Sequence, residues 1–239
     1  MPPEGKIRPL ARKVVPLPVR LRLSTAYVRV GLQRRAVEVD LLNLRVHGRG
    51  SPRYREPVWI DPSACSEVVR SVNHYHSGQV LGGDWDVEGQ PLSTMFKMRA
   101  CELHWVHGVP WRETGVYEHM MDLIEKHGGR VDGCLTLADV VDRYERLDAM
   151  FAEVRSQGRL LSRRERSQRG FRARGEIYIH VGRGPRLLFG GGGIHRFAAA
   201  RIAGLDCVPA QLGVVHQDVV ADWQDVVVRG SRRPVGCGP

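Results

Sequence analysis

The run from Gly190 to Gly204, GGGGIHRFAAARIAG, permits few local structures: a glycine loop that opens directly into a short alanine-rich helix. Glycines let a backbone take up positive φ and approach a ligand closely. The unpaired N–H groups of the first helical turn, at the positive end of the helix dipole, then point at any anion in the loop. His195 and Arg196 fall in that turn, and Arg196 adds a fork of donors suited to phosphate oxygens. The flanks are consistent with such a unit. Glu176 to Val181 alternates as a half-buried strand does, Gly182 to Pro185 supplies a turn, and Arg186 to Phe189 returns as a second strand. Gly204 suits the residue after the helix, and Val208 to Val215 reads as a third strand with Pro209 near its start. Gly190, Gly191, Gly192 and Gly193 with Arg196 are therefore expected to hold phosphates, with His195 assisting.

No Lys-Ser or Lys-Thr follows the glycines, so this is not a Walker loop, and the G-x-G-x-x-G spacing of a dinucleotide fingerprint is absent. The segment Phe189 to Leu212, FGGGGIHRFAAARIAGLDCVPAQL, instead resembles the signature helix of the ParB and sulfiredoxin superfamily, in which a glycine precedes His-Arg or Arg-Arg, an alanine-rich helix, a glycine and a Val/Ile-Pro strand. The resemblance covers about Glu176 to Val215. It implies an α+β fold, a small mixed β-sheet with packed helices, and a bound nucleoside triphosphate, ATP or CTP, with Gly193, His195 and Arg196 on the phosphate-binding motif. Two departures narrow the implied activity. Sulfiredoxins carry a reactive cysteine directly before the His-Arg pair, where this chain has Ile194, and the chain ends about two dozen residues after Val215, without room for the helix-turn-helix of partition proteins.

A second constellation, Val80 to Glu88 (VLGGDWDVE), presents Asp84 and Asp86 on a turn around Trp85. Carboxylates so placed suit Mg²⁺, which takes one or two acids plus substrate phosphates, or one of them serves as a general base. The same stretch resembles a Gly-Asp-Trp-Asp sequence of uncharacterised ParB-like proteins. Asp84 and Asp86 are thus the expected metal ligands and, with His195, the expected catalytic groups. His216, directly after the last strand, is placed to line the pocket. His74 with His76, and His104 with His107, have spacings that could ligate metal, but no acid or cysteine pattern completes four ligands, and ordinary surface or helix-face histidines are the favoured reading. Glu176 reads as a plain strand-edge residue.

Charge is segregated. Residues 1–60 hold 13 Lys/Arg against 4 Asp/Glu, residues 61–152 hold 8 against 15, and residues 153–239 hold 15 against 7. Eight arginines lie between Arg155 and Arg174 with Glu165 as the single acid. Such a run, with the basic N-terminus, would contact DNA or RNA phosphates; a solvated arginine-rich linker is the equal alternative. Thr136 caps an expected helix with apolar positions Val140, Tyr144, Leu147, Phe151 and Val154, closed by Gly158, and shorter helices are expected over Ser93 to Val106 and Glu113 to His127. In the resemblance the Thr136 helix leads toward the glycine loop, and Glu56 to Asp61 is the opening strand. The expected organisation is a basic extension over 1–53, with Ala36 to Val46 as strand or helix, a domain over 54–220 with a helical insertion at about 90–130, and a tail over 221–239.

No apolar run reaches the length of a membrane span, the N-terminus lacks a signal-peptide core, and five scattered cysteines form no C-x-x-C pair. A reducing cytoplasm is the expectation. The leading functional reading is a nucleotide-binding protein, a Mg²⁺-dependent phosphotransferase (kinase-like) or nucleotidase. A nucleic-acid-binding accessory or nuclease-like protein, and a nucleotide-sensing regulator without catalysis, are the alternatives.

Overall fold

The computed structural model of the chain describes residues 17–167, 176–184 and 186–229. Helix α1 spans Leu17–His47, followed by the short strands β1 (Pro57–Ile60), β2 (Glu67–Val68), β3 (Val80–Leu81) and β4 (Gln90–Pro91). Helices α2 (Phe96–Trp105), α3 (Val116–His127), α4 (Leu137–Gln157) and α5 (Arg163–Ser167) precede β5 (Ile177–Gly182) and β6 (Arg186–Phe189). Helix α6 (Ile194–Ile202), strand β7 (Val208–His216) and helix α7 (Trp223–Arg229) complete the described chain.

The strands form one mixed sheet in the order β1-β7-β5-β6-β2-β4, with β3 also paired to β7. β5 runs antiparallel to β6 and parallel to β7, so α6 is the crossover between β6 and β7. Ile177, Ile179 and Val181 of β5 point into a core shared with Phe197 and Ala200 of α6. Sequence alternation suggests that the other face of β5 meets solvent, but it does not. The segment from Val69 to Trp85 lies over that face, and Tyr178 and His180 are as buried as their apolar neighbours. Parallel strands covered on both sides behave this way.

The other side of α6 carries a second layer. Ala100, Cys101, Trp111, Val116, Met120, Val140 and Tyr144, from α2, α3, α4 and the turn between α2 and α3, cluster with Ala198 of α6. Residues 195–200 are consequently buried all round, which explains the alanines: a helix clamped between sheet and helices has space for little beyond Cβ. In α4, Thr136 accepts from the N–H of Asp139 in a reciprocal capping box, and Gly158 ends the helix at φ +61°. The indole N–H groups of Trp105 and Trp111 both donate to Asp148 of α4, at 2.8 Å and 3.0 Å, tying the layer together.

The stretch Ala36 to Val46 lies wholly within α1, which is held to the sheet by Asn43 Nδ2 donating to the carbonyls of Pro52 and Gly78. Residues 223–229, read from sequence as tail, form α7, whose Trp223, Val226 and Val227 join the main core. No helix among the described residues is long and apolar enough to cross a membrane. The basic N-terminus over 1–16, part of the arginine run (168–175) and the tail beyond 229 lie outside the described residues.

Candidate functional site

The glycine loop is stitched to β5 at both ends: the N–H of Gly190 donates to Tyr178 O at 2.7 Å, and the N–H of Tyr178 donates to Gly192 O at 3.2 Å. Gly193, at φ +69°, is the residue before α6, and a Cβ there would sit 2.7 Å from Glu176 O. Only glycine fits. No side chain caps the first turn of α6, and its residues Ile194, His195 and Arg196 line the cleft in front of the loop. That cleft is about 710 Å³, and Met95, Phe96 and Lys97 form another of its walls. They are the start of α2, which also lacks a side-chain cap. Two helix N-termini thus open on one cavity.

Cations surround them. Arg70, Lys97, Arg143, Arg163 and Arg196 line the cleft, against Asp132 as the one carboxylate among the described lining residues. Lys97 Nζ sits 2.6 Å from Asp132 Oδ2, and Arg143 is 3.9 Å from the same oxygen. Burial pushes the Asp132 carboxyl up, but Lys97, Arg143 and His195 outweigh that and hold it below the usual carboxylate range. On the apolar side stand Met95, Phe96, Leu147 and Met150. Phe96 is stacked on His119 with ring centres 4.4 Å apart.

Arg196 is placed differently from the free phosphate fork that its sequence position suggests. Its Nη2 donates to Leu161 O at 2.7 Å and to Glu176 Oε2 at 3.0 Å, in an ion pair whose side chains are only 6% and 8% exposed. Glu176 also accepts from the N–H of Arg163. Burial raises the Glu176 pKa despite Arg196, and burial lowers that of Arg196 despite Glu176. Desolvation therefore outweighs attraction in this pair. Nε of Arg196 is buried without a partner, and Nε of Arg143 is in the same condition. A buried donor left unpaired costs about 1–3 kcal/mol, which an incoming anion would recover.

His195 is buried with its Nε2 at 3.3 Å from the hydroxyl of Tyr144. The phenol can donate to Nε2 or accept from it; with the phenol as donor, Nδ1 carries the hydrogen. Burial, with Arg143 and Lys97 nearby, pushes the His195 pKa down to about 3, so the ring is a neutral donor at pH 7.

The acidic turn lies elsewhere. Arg183, just beyond the end of β5, donates from Nη2 to Asp84 and to Asp86, from Nε to Asp86, and from its backbone N–H to Asp86 at 2.7 Å. The loop is anchored beside Tyr178 and the turn beside Gly182, four strand residues or about 13 Å away. Both carboxylates serve an arginine, so they do not fit the Mg²⁺ of a phosphate site at the glycine loop. Among the described residues no group of three or more His, Cys, Asp or Glu is placed to hold a metal ion. His216 is also at the far end, its Nε2 donating to Gly83 O at 3.0 Å and its Nδ1 accepting from the N–H of Asp218. It does not line the cleft. His104 is stacked on Trp111 and bound to Val109 O, and His76 belongs to a turn cap with Asn73.

Within the arginine run, Arg163 reaches the cleft, while Arg166 and Arg159 pair with Glu153 and Glu165. Lys97, Asp132, Arg143 and Tyr144 complete the site without any sequence signal of their own, since only the docking of α2 and α4 on α6 brings them to the loop. A search against protein-family models, curated proteins and solved structures found no match to this chain.

Proposed function

We propose that this chain is a nucleotide-binding protein of the ParB/sulfiredoxin-like kind, taking ATP or CTP with the phosphates at the glycine loop and the nucleoside toward Phe96 and Met150. The observation that carries the reading is the convergence of two uncapped helix N-termini, α6 and α2, on a cleft where Nε of Arg196 is buried without a partner. Helix N-termini and unpaired guanidinium donors are the groups that bind phosphate.

A phosphotransferase or nucleotidase form of this reading needs a base and a metal at the transferred phosphate. The acids expected for that work stand about 13 Å from the loop and hold Arg183. This arrangement favours a second form of the proposal, a nucleotide-sensing regulator without catalysis. Thermal melting with ATP, CTP, GTP and UTP, alongside an assay of released phosphate, tests both. Stabilisation by a triphosphate with no turnover fits the regulator, steady turnover restores the enzyme, and no shift with any triphosphate removes the proposal.

A further inference from the structure

Resting on that reading, we infer that the cleft takes its polyphosphate as the bare anion, with the protein's own cations in the role a divalent metal usually fills. Mg²⁺ bound with a triphosphate is usually held by one or two carboxylates as well as by the phosphates and water. At this cleft the described lining residues offer Asp132 alone, and Lys97 holds it at 2.6 Å. Five guanidinium or ammonium groups, Arg70, Lys97, Arg143, Arg163 and Arg196, stand against that one acid. Over the described lining residues the cations exceed the one carboxylate by four, and by three once Glu176, behind Arg196, is included. To these are added two helix N-termini, of nine and ten residues, each with a partial positive charge and no side-chain cap. Arg196, which lines the cleft, has its Nε buried with no acceptor in the protein.

The ligand class is therefore a linear polyphosphate, either as the tail of a nucleoside triphosphate or free. In this geometry one phosphate sits on the first turn of α6 and the next toward Phe96 and Lys97 at the start of α2. Asp132 is the counter-charge with which the ligand competes for Lys97 and Arg143.

Isothermal titration of the full chain tests this with ATP, CTP, tripolyphosphate and AMP, each in EDTA and in excess Mg²⁺. Binding of a triphosphate in EDTA at least as tight as in Mg²⁺, with AMP much weaker, is the expected result. Tighter binding of ATP or CTP than of tripolyphosphate assigns the cleft to a nucleotide, and equal binding assigns it to polyphosphate alone. Binding that appears only with Mg²⁺ overturns the inference and leaves the nucleotide reading intact, whereas no binding in either buffer overturns both. Two variants sharpen the outcome. Asp132→Asn suits the left-handed backbone at that position (φ +51°) and removes the acid, so affinity in EDTA should rise about two- to fivefold, the scale of a partly exposed ion pair. A gain in affinity with Mg²⁺ in the parent that disappears in this variant would show Asp132 acting as a metal ligand instead and overturn the inference. Lys97→Gln should weaken EDTA binding about tenfold or more, as the loss of a charged hydrogen bond does; unchanged affinity counts against the clamp.

Discussion

The Glu176 and Arg196 pair gives the sharpest test of how this site is held. Each single change, Glu176→Gln or Arg196→Met, strands the other group in a place where the side chains are 8% and 6% exposed. Breaking such a buried pair costs about 3–5 kcal/mol, a large part of the stability of an ordinary domain. For a protein of this size that lowers the melting temperature by about 6–20 °C. The double variant should behave differently. Burial already pushes both groups toward their neutral forms, so an uncharged pair of similar volume is expected within about 1 kcal/mol of the parent. Gln at 176 keeps an acceptor for the N–H of Arg163, and Leu161 O loses the donor that Arg196 supplies. Triphosphate affinity in the double variant should still fall about tenfold or more, because a cation beside the cleft is gone. Urea titration with calorimetric binding reads both quantities. Additive losses, with the double variant about 6–10 kcal/mol less stable, would refute the argument that desolvation dominates the pair. The pH profile supplies a second reading. Since the folded pKa of Glu176 is raised, its contribution is fully present below the ordinary value of 4.5 and is lost as pH rises through the folded value. Glu176→Gln should lack that decline.

Three further outcomes follow from the geometry. Tyr144→Phe should cost about 0.5–1.5 kcal/mol and weaken phosphate binding, and long-range ¹⁵N spectra should show His195 as the Nδ1–H tautomer in the parent; an Nε2–H tautomer there would refute the assignment. Gly193→Ala places a Cβ 2.7 Å from Glu176 O at φ +69°, so a loss of at least about 1–3 kcal/mol is expected by urea unfolding, and a neutral result would mean the loop relaxes freely. At the far end of β5, burial pushes the Asp86 carboxyl up but the Arg183 guanidinium and N–H outweigh it, so its pKa is lowered. The stability it contributes is present above the ordinary value of 3.8 and lost as pH falls through the folded pKa. Asp86→Asn should remove that acid sensitivity, Asp84→Asn should change stability little, and neither should alter triphosphate affinity in EDTA.

The parts of the fold that are local were legible in the sequence, and the parts that depend on what covers what were not. Thr136 and Gly158 bound α4 because a cap and a left-handed glycine are decided within a few residues. The strand, turn, strand, glycine loop, helix order of residues 176–202 follows from equally local chemistry. Glu176 reads as an edge residue because alternation describes one strand and says nothing of a covering layer. Tyr144 fits the apolar stripe of α4, but periodicity records its ring and misses its hydroxyl, the atom that meets His195. The acidic turn was paired with the glycine loop on chemical need alone. Both lie along β5, and the length of that strand keeps them apart.

The alanines of α6 have a consequence for the walls of the cleft. Ala200 touches the sheet core and Ala198 the helical core, so two hydrophobic clusters are separated by the width of one helix with methyl side chains. The distance between the glycine loop and the starting turn of α2 is therefore a property of packing several residues away from any charged group. Widening α6 by a methylene or two on its helical side would spread the two N-termini as a wedge spreads a hinge. The gap between the two N-termini would then change although every cation that lines the cleft stayed in place.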